Sequence, residues 1–343
     1  CAMAGMVIGN LGVGLIMAWN GGGVWAYVSA LLVQNIVLSL GYLWFAKIPV
    51  ALGFHFERIR QLVVYGMKST TFNLLTYAAS KVDVWLVGER LSTAATGVYD
   101  RAVNLMGQPI TVLGKLGDSV LFSGMSSLQD DNTEMKKVTL RAMHLVSLLT
   151  LPLTLALVFQ AQGITWLFLG NRFVEAGPVV QILFAAVVFR ALTKLGDANL
   201  RAMDGLTFGI GIKVVFFAFV AAGVFFALNS GFALEGAAYA VVAASVIQWL
   251  LTTGWVMVRL RIGMHELLLA IQNGLLLSLL VVIPMTILDL AWWIECFIAV
   301  VLCGMALLLI PTLIAPIWTD PDGAFRRSLG SKLPDFLEKK WLQ

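Results

Sequence analysis

The chain contains about ten apolar stretches, each near the ~20 residues that a helix needs to cross a bilayer. Hydrophobic residues make up 59% of the chain and charged residues only 12%, roughly half the charged fraction of a soluble protein. Backbone polar groups must be satisfied internally in lipid, so such stretches fold as helices. The sequence therefore predicts an all-α membrane protein with these spans: 2–19, 24–46, 62–88, 97–122, 139–169, 177–200, 208–228, 234–258, 265–290 and 291–318.

Basic residues are distributed unevenly between the two sets of predicted loops. One set, together with the tail after residue 318, holds fourteen lysines and arginines, whereas the opposite loops hold only Arg90 and Arg172. Because basic loops remain on the cytoplasmic side, this asymmetry predicts a cytoplasmic C-terminus. The net charge of +4 therefore reflects the basic loops that set the orientation in the membrane, and no nucleic-acid partner is expected.

Three predicted helices carry polar side chains at alternating spacings of three and four residues. This spacing places each set on one helix face, which needs a wet or polar neighbour inside a membrane. The sets are Ser69, Asn73, Thr76, Ser80 and Asp83 in 62–88; Arg101, Asn104, Gln108, Thr111, Lys115 and Asp118 in 97–122; and Arg190, Lys194, Asp197 and Arg201 at 177–200 and just beyond.

Seven basic and four acidic residues lie within the predicted spans, so the faces together are net basic and suited to an anion. Local pairing of Lys194 with Asp197 at i+3, or snorkelling of Lys213 to the interface, would make some of these charges structural. Arg190 and Asp83 have no such local partner, which favours a functional role. The predicted substrate cavity comprises Asn73, Thr76, Asp83, Arg101, Asn104, Gln108, Lys115, Arg190 and Lys194.

Motifs of enzymes and metalloproteins are missing from the sequence. No phosphate-binding loop of the Walker type occurs, and no catalytic triad, paired carboxylates or metal-spaced cluster stands out. The three cysteines form no ligand or disulfide pattern. We therefore expect a protein that is not an enzyme and that needs no cofactor or metal.

A run of about 70 residues resembles a known family. Asp83 is followed by LVGERLSTAATGVY; then come Arg101-Ala102-x-Asn104-Leu105 with Pro109, Asp118-x-x-Leu121-Phe122 and Met125-Ser126-x-Leu128-Gln129-Asp130. As a set, these residues resemble the polysaccharide transporters of the multidrug/oligosaccharidyl-lipid/polysaccharide exporter superfamily. The similarity is closest to the lipopolysaccharide and exopolysaccharide exporters, which are oligosaccharide-lipid flippases.

The resemblance implies a fold of two six-helix bundles with two additional helices, of which this chain would lack the N-terminal part. On that template, 1–46 forms the last two helices of an incomplete bundle and 47–61 a cytoplasmic connector. The complete six-helix bundle is 62–258, followed by two additional helices in 259–318 and a cytoplasmic tail in 319–343.

The resemblance also implies an activity: movement of a lipid-linked oligosaccharide diphosphate across the bacterial inner membrane by gradient-driven alternating access. Asp83 would carry the coupling ion, H⁺ or Na⁺, and the expected partners are membrane lipid and the polysaccharide polymerase machinery. Three alternatives stay open: a cation or drug antiporter of the same fold, a lipid II-type flippase and a non-transporting assembly scaffold. The net basic balance of the spans speaks against the antiporter.

Overall fold

A computed structural model of the chain describes residues 12–46, 56–126 and 132–287, and every regular element in these ranges is helical. The all-α prediction is therefore confirmed. The α-helices are α1 Leu15–Trp19, α2 Gly23–Ala46, α3 Phe56–Ala79, α4 Val82–Arg90, α5 Thr93–Ser126, α6 Asn132–Phe159, α7 Ala161–Leu169, α8 Gly177–Phe184, α9 Ala186–Ala202, α10 Leu206–Asn229, α11 Ala233–Leu260 and α12 Met264–Ile287, with a 3₁₀ helix over Asn171–Ala176.

Among the described residues, five helices are long and apolar enough to cross a membrane: α2, α6, α10, α11 and α12. A sixth span results if the segment Asn171–Phe184 and helix α9, which meet at a bend of 43°, count as one. The chain is thus a multi-pass membrane protein. Helices α3 and α5, which carry two of the polar faces, do not meet the same test. The count of ten stays a prediction, and the predicted span 291–318 lies outside the described residues.

The chain divides into two compact units, Cys1–Leu62 and Val63–Gln343. In the first unit, α1 and α2 pack against each other around a tight turn. Gly21 takes a φ of 77° there, a conformation that favours glycine. The predicted borders after residues 46, 61, 258 and 318 stay predictions.

The second unit is built around a core of small and medium-sized side chains. Helix α9 packs against α5, α6 and α11, and α4 packs against α5, α10 and α11. Ala102, Val180, Val187, Val220 and Val241 are all buried in this core. Small side chains allow close approach of helix backbones, which is how helices associate in membranes. This packing positions α4, α5, α9 and α11 around a common interior.

A second close contact joins α6 and α12. The Ser147 hydroxyl donates a hydrogen bond of 3.0 Å to the Ala270 carbonyl oxygen across this interface. A Cβ atom at Gly274 would lie 2.6 Å from the Ser147 carbonyl oxygen, so only glycine permits this distance between the two helices.

The prediction of one continuous helix over 62–88 is wrong, because the structure breaks it at Ser80 and Lys81. The Lys81 amide donates to the Ala78 carbonyl three residues back, and the Ser80 hydroxyl bonds the Tyr77 carbonyl at 2.7 Å. The backbone bond from Lys81 to Ala78, which spans three residues in place of four, overwinds the chain and changes the direction of the side chains that follow. The predicted face from Ser69 to Asp83 is therefore split between α3 and α4.

Candidate functional site

Asp83 lies in the first turn of α4 and is only 2% exposed. Its Oδ1 atom accepts a hydrogen bond of 2.9 Å from the Val84 amide, and its Oδ2 atom accepts one of 3.3 Å from the Tyr99 hydroxyl. Apolar side chains of the core, including Val87, surround this part of α4. The carboxyl group thus accepts two hydrogen bonds, one from the backbone of its own helix and one from α5.

Arg190 lies on α9 and is partly exposed. Its Nε atom donates a hydrogen bond of 3.1 Å to the Ser245 hydroxyl, which in turn donates one of 2.8 Å to the Val241 carbonyl oxygen. The guanidinium carbon lies 5.9 Å from the centre of the Phe216 ring. Within the part of the chain that the structure describes, the two terminal amino groups of Arg190 have no hydrogen-bond partner.

Asp83 and Arg190 lie on helices that contribute to the same apolar core, and no direct ion pair joins them among the described residues. We call Asp83, Tyr99, Arg190 and Ser245 the Asp83–Arg190 cluster. Its members come from four helices, α4, α5, α9 and α11. Two of the predicted cavity residues, one acidic and one basic, thus lie on helices that share one apolar core.

Sequence reasoning missed Tyr99 and Ser245. Tyr99 lies beside the polar face of α5 but does not belong to it, and Ser245 is a single hydroxyl in an apolar run. Neither residue stands out in the sequence around it, because its hydrogen bond is to a side chain on a different helix.

The other predicted cavity residues whose side chains are described are exposed: Asn73 and Thr76 on α3, Arg101, Asn104 and Gln108 on α5, and Lys194 on α9. Two of them also make local hydrogen bonds. The Thr76 hydroxyl donates to the Phe72 carbonyl at 2.8 Å, and the Asn104 amide donates to Asp100 Oδ2 at 2.9 Å. Lys115 lies in α5, but its side chain is outside the described set. The exposed side chains leave an open polar face on helices next to the core.

The predicted pairing of Lys194 with Asp197 is wrong. Asp197 pairs instead with Lys213 on α10, with 2.7 Å between Nζ and Oδ2. Lys213 is 1% exposed, so it does not snorkel to an interface. Its Nζ atom lies 4.8 Å from the centre of the Phe72 ring, and the Arg201 guanidinium lies 5.5 Å from the same centre. This group of side chains joins α3, α9 and α10, and the second carboxylate oxygen, Asp197 Oδ1, is buried without a hydrogen-bond partner among the described residues.

A family model described as "Polysaccharide biosynthesis protein" matches residues 1–178, more than half of the chain. The chain belongs to the polysaccharide biosynthesis protein family. This membership confirms the resemblance to polysaccharide transporters. The match includes α1 to α7, and thus Asp83 and Tyr99, while Arg190 and Ser245 lie beyond it.

Three curated relatives of this family member are about a fifth identical to it over the stretches that align. They are an uncharacterized membrane protein in the cps region of Klebsiella pneumoniae (21% identical over 164 residues), the teichuronic acid biosynthesis protein TuaB of Bacillus subtilis (22% over 182) and the lipopolysaccharide biosynthesis protein WzxC of Escherichia coli (22% over 163). The alignments cover 47%, 52% and 47% of the chain but only 34%, 37% and 33% of the relatives. The chain therefore spans about a third of the length of each relative that it matches.

The fold of this family member is similar to that of the lipid II flippase MurJ in its inward closed conformation. The two structures superpose with a TM-score of 0.65 at 13% sequence identity, over 90% of this chain and 67% of that one. The similarity shows that the chain shares the all-helical fold of that protein.

The arrangement of charges defines what the site can bind. Groups of His, Cys, Asp and Glu that could hold a metal ion do not occur among the described residues. Among the predicted cavity residues, the exposed or partly exposed cations are Arg101, Lys194 and Arg190, and the carboxylate of Asp83 is buried. The side chains that a ligand can reach are therefore mainly hydrogen-bond donors with positive charge, which suit phosphate or carboxylate groups.

Proposed function

We propose that this family member acts as a flippase, which moves a lipid-linked oligosaccharide diphosphate across the bacterial inner membrane for the biosynthesis of a surface polysaccharide. The observation that carries the proposal is the set of accessible cations, Arg101, Lys194 and Arg190, on the helices of a membrane transporter fold. The family description and the names of the curated relatives support polysaccharide biosynthesis as the pathway.

Accessible cations within a membrane protein favour an anionic cargo. A charged side chain in contact with lipid tails is costly, so such residues face water, protein or a ligand. A diphosphate offers several acceptor oxygens with negative charge, which arginine binds with good geometry. The sugar part of the substrate is polar and would contact the neutral donors Asn104 and Gln108, which are exposed on the same helix as Arg101.

The remaining features of the proposal follow from the sequence. Transport is driven by an ion gradient, because the sequence contains no ATP-binding motif, and Asp83 takes up the coupling ion, H⁺ or Na⁺. The protein is not an enzyme. It lies in the inner membrane with its C-terminus in the cytoplasm, in contact with membrane lipid, and works beside the polysaccharide polymerase machinery.

The proposal is tested with the double substitution Arg101→Gln and Lys194→Gln in the chromosomal gene of the encoding bacterium. Loss of two cations from the binding face should reduce surface polysaccharide at least about tenfold. The lipid-linked precursor should accumulate on the cytoplasmic side of the membrane. Arg259→Gln serves as the matched control, because Arg259 is exposed in the last turn of α11, away from the predicted cavity. Polymer amount and precursor amount are measured by immunoblotting and mass spectrometry.

Each alternative function gives a different result in the same strains. Full surface polysaccharide in the double variant would contradict the proposal. A lipid II-type flippase would show loss of cell-wall precursor transport, whereas an antiporter would show altered export of a cationic dye. A scaffold would lose polymer assembly without accumulation of precursor on the cytoplasmic side.

A further inference from the structure

We infer that Asp100 is an internal competitor of the cargo at Lys81: its carboxylate and the phosphate part of the cargo take turns as the anion that Lys81 binds. The inference rests on the proposed function, because the competing anion is the cargo. It adds Lys81 to the substrate site, to which the sequence pattern did not assign it, and it gives Asp100 a role in cargo release.

Asp100 holds one donor from each of two neighbouring helices. Lys81 lies at the break between α3 and α4, and its Nζ atom is 3.5 Å from Asp100 Oδ1 on α5. The other carboxylate oxygen, Oδ2, accepts a hydrogen bond of 2.9 Å from the Asn104 amide, one turn further along α5. The carboxylate therefore joins a cation of α4 to a neutral donor of the exposed polar face of α5.

Lys81 brings a second cation to that face. Arg101 and Asn104 are exposed, and Asn104 follows Asp100 by four residues and Arg101 by three, so these side chains are neighbours on the helix. An ammonium group and an amide that hold a carboxylate can hold a phosphate oxygen in the same way. Phosphate is therefore the ligand class that can take the place of Asp100.

The pair of Lys81 and Asp100 is loose and open to solvent. Its side chains are 44% and 35% exposed, and 3.5 Å is long for a charge-assisted hydrogen bond. Ion pairs that are this exposed contribute little to stability, so opening the pair costs little. A diphosphate carries more negative charge than one carboxylate and attracts the lysine more strongly. The exchange of Asp100 for cargo is therefore favourable.

The packing of α4 against α5 rests on other residues. The buried Tyr99 hydroxyl of α5 donates a hydrogen bond to Asp83 of α4, and Val87 and Ala102 of the two helices are buried in the same core. Opening the pair of Lys81 and Asp100 leaves these contacts in place. The pair can therefore exchange partners without loss of the fold.

The pair lies towards the side of the membrane where the cargo leaves. Arg90, about 14 Å from Lys81 along α4, donates a hydrogen bond of 3.2 Å to Asn229 at the end of α10. The distribution of basic residues puts the loops that follow Arg90 and Asn229 opposite the cytoplasm. When cargo departs on that side, Asp100 pairs with Lys81 again. The lysine is then not left without a counter-charge, and rebinding of the cargo is opposed.

The test uses the purified full chain in detergent and inorganic pyrophosphate as the probe, with binding measured by isothermal titration calorimetry. Asp100→Asn keeps the size of the side chain but removes the competing charge, so we expect pyrophosphate to bind at least about fivefold more tightly than to the native protein. Lys81→Gln should bind it at least about fivefold more weakly. The double variant Asp100→Asn/Lys81→Gln should stay within about twofold of Lys81→Gln, because the gain requires the freed ammonium group. Asp100→Ser is a second neutral variant if the asparagine variant does not fold.

Glu134→Gln is the matched control. It removes the charge of a carboxylate that is also paired with a partly exposed lysine, Lys137, but in the first turn of α6. Its affinity for pyrophosphate should stay within about twofold of native. Glycerol 1-phosphate is a second probe, with the chemistry of a phospholipid head group, and should bind Asp100→Asn at least about fivefold more weakly than pyrophosphate does.

Unchanged or weaker binding of pyrophosphate by both neutral Asp100 variants would overturn the inference. An equal gain from Asp100→Asn with and without Lys81 would also overturn it, since general repulsion would then explain the gain. Equal binding of the two probes would assign the site to phospholipid head groups, and no binding to any variant would remove the anion site; both outcomes overturn the inference as well. Failure of the proposed function shows separately, as normal polysaccharide export in the Arg101→Gln/Lys194→Gln strain.

Discussion

Asp83 and Arg190, the two charged residues without a local partner in the sequence, differ in their surroundings from the pair that Asp197 forms with Lys213. Asp197 and Lys213 form a direct ion pair of 2.7 Å in which the lysine is almost completely buried. Asp83 and Arg190 form no direct ion pair among the described residues; they are hydrogen-bonded to the neutral side chains of Tyr99 and Ser245, and Arg190 is partly exposed. A closed pair such as Asp197–Lys213 holds helices together. We therefore expect that pair to contribute to stability, whereas Arg190 stays a residue of the proposed substrate site.

The first prediction concerns the closed pair. Lys213→Met leaves the carboxylate of Asp197 buried without compensation, which typically costs about 3–5 kcal/mol. We expect a clear drop in the Tm of the detergent-solubilised protein, measured by size-exclusion chromatography after heating. The double variant Lys213→Met/Asp197→Asn buries no charge and should recover at least about half of the loss.

Lys137→Met is the control for this prediction, because Lys137 pairs with Glu134 on the protein surface, where an ion pair contributes little, about 0–1 kcal/mol. A Tm of Lys213→Met equal to that of the native protein would show that the buried pair does not stabilise the fold. Equal Tm values for the single and double variants would show that the uncompensated charge is not the cause.

At the scale of the helix, the predicted polar faces differ in whether their side chains stay together on one exposed surface. The predicted face of 62–88 is divided by the break at Ser80 and Lys81, so that Asp83 turns into the core while Asn73 and Thr76 stay exposed. The face of α5 remains exposed at Arg101, Asn104 and Gln108, on one continuous helix. The predicted polar face is present where the helix is unbroken, because a spacing of three and four residues places side chains on one face only within a continuous helix.

The second prediction is that the exposed face of α5 contacts water in the membrane-embedded protein. In a background without native cysteines, with Cys1, Cys296 and Cys303 replaced by serine, Asn104→Cys and Gln108→Cys should react with a membrane-impermeant thiol reagent. Met106→Cys is the control on the same helix, because Met106 is 1% exposed. We expect labelling at least about fivefold faster at the two polar positions. Equal labelling at all three positions would mean that the face packs against protein or lipid and would favour the scaffold alternative.

At the scale of the whole molecule, family and fold are established on different evidence. The family rests on residues 1–178 and the fold on a superposition over 90% of the chain. The curated relatives are about three times longer than the stretch that aligns with them.

The third prediction concerns the orientation in the membrane. The loop after α11 carries Arg261 next to Arg259, whereas the loop between α10 and α11 carries no basic residue. The positive-inside rule therefore places the first loop in the cytoplasm and the second on the opposite side. Green fluorescent protein fused after Gly263 should fluoresce, and alkaline phosphatase fused after Gly231 should be active. The inverse pattern would reverse the orientation and contradict a cytoplasmic C-terminus.

The sequence by itself determined the class of this protein, the family and the polar face of α5. Hydropathy determines which segments enter a membrane, and the spacing of polar residues determines which side chains share a helix face. Both are properties of a single helix, so they can be predicted without knowledge of its neighbours. The residues from Asp83 to Asp130 also carry enough of the family pattern to identify it.

Only the tertiary structure decided which charges meet. Arg190 and Ser245 are 55 positions apart in the chain, and Asp83 and Tyr99 are 16 apart and separated by a turn. Lys213 lies 16 positions from Asp197, on the next helix, and replaces the partner at i−3 that spacing suggested. These contacts depend on how the helices pack and on the break at Ser80 and Lys81. Packing is set by the shapes of many side chains at once, and no local pattern of the sequence records it.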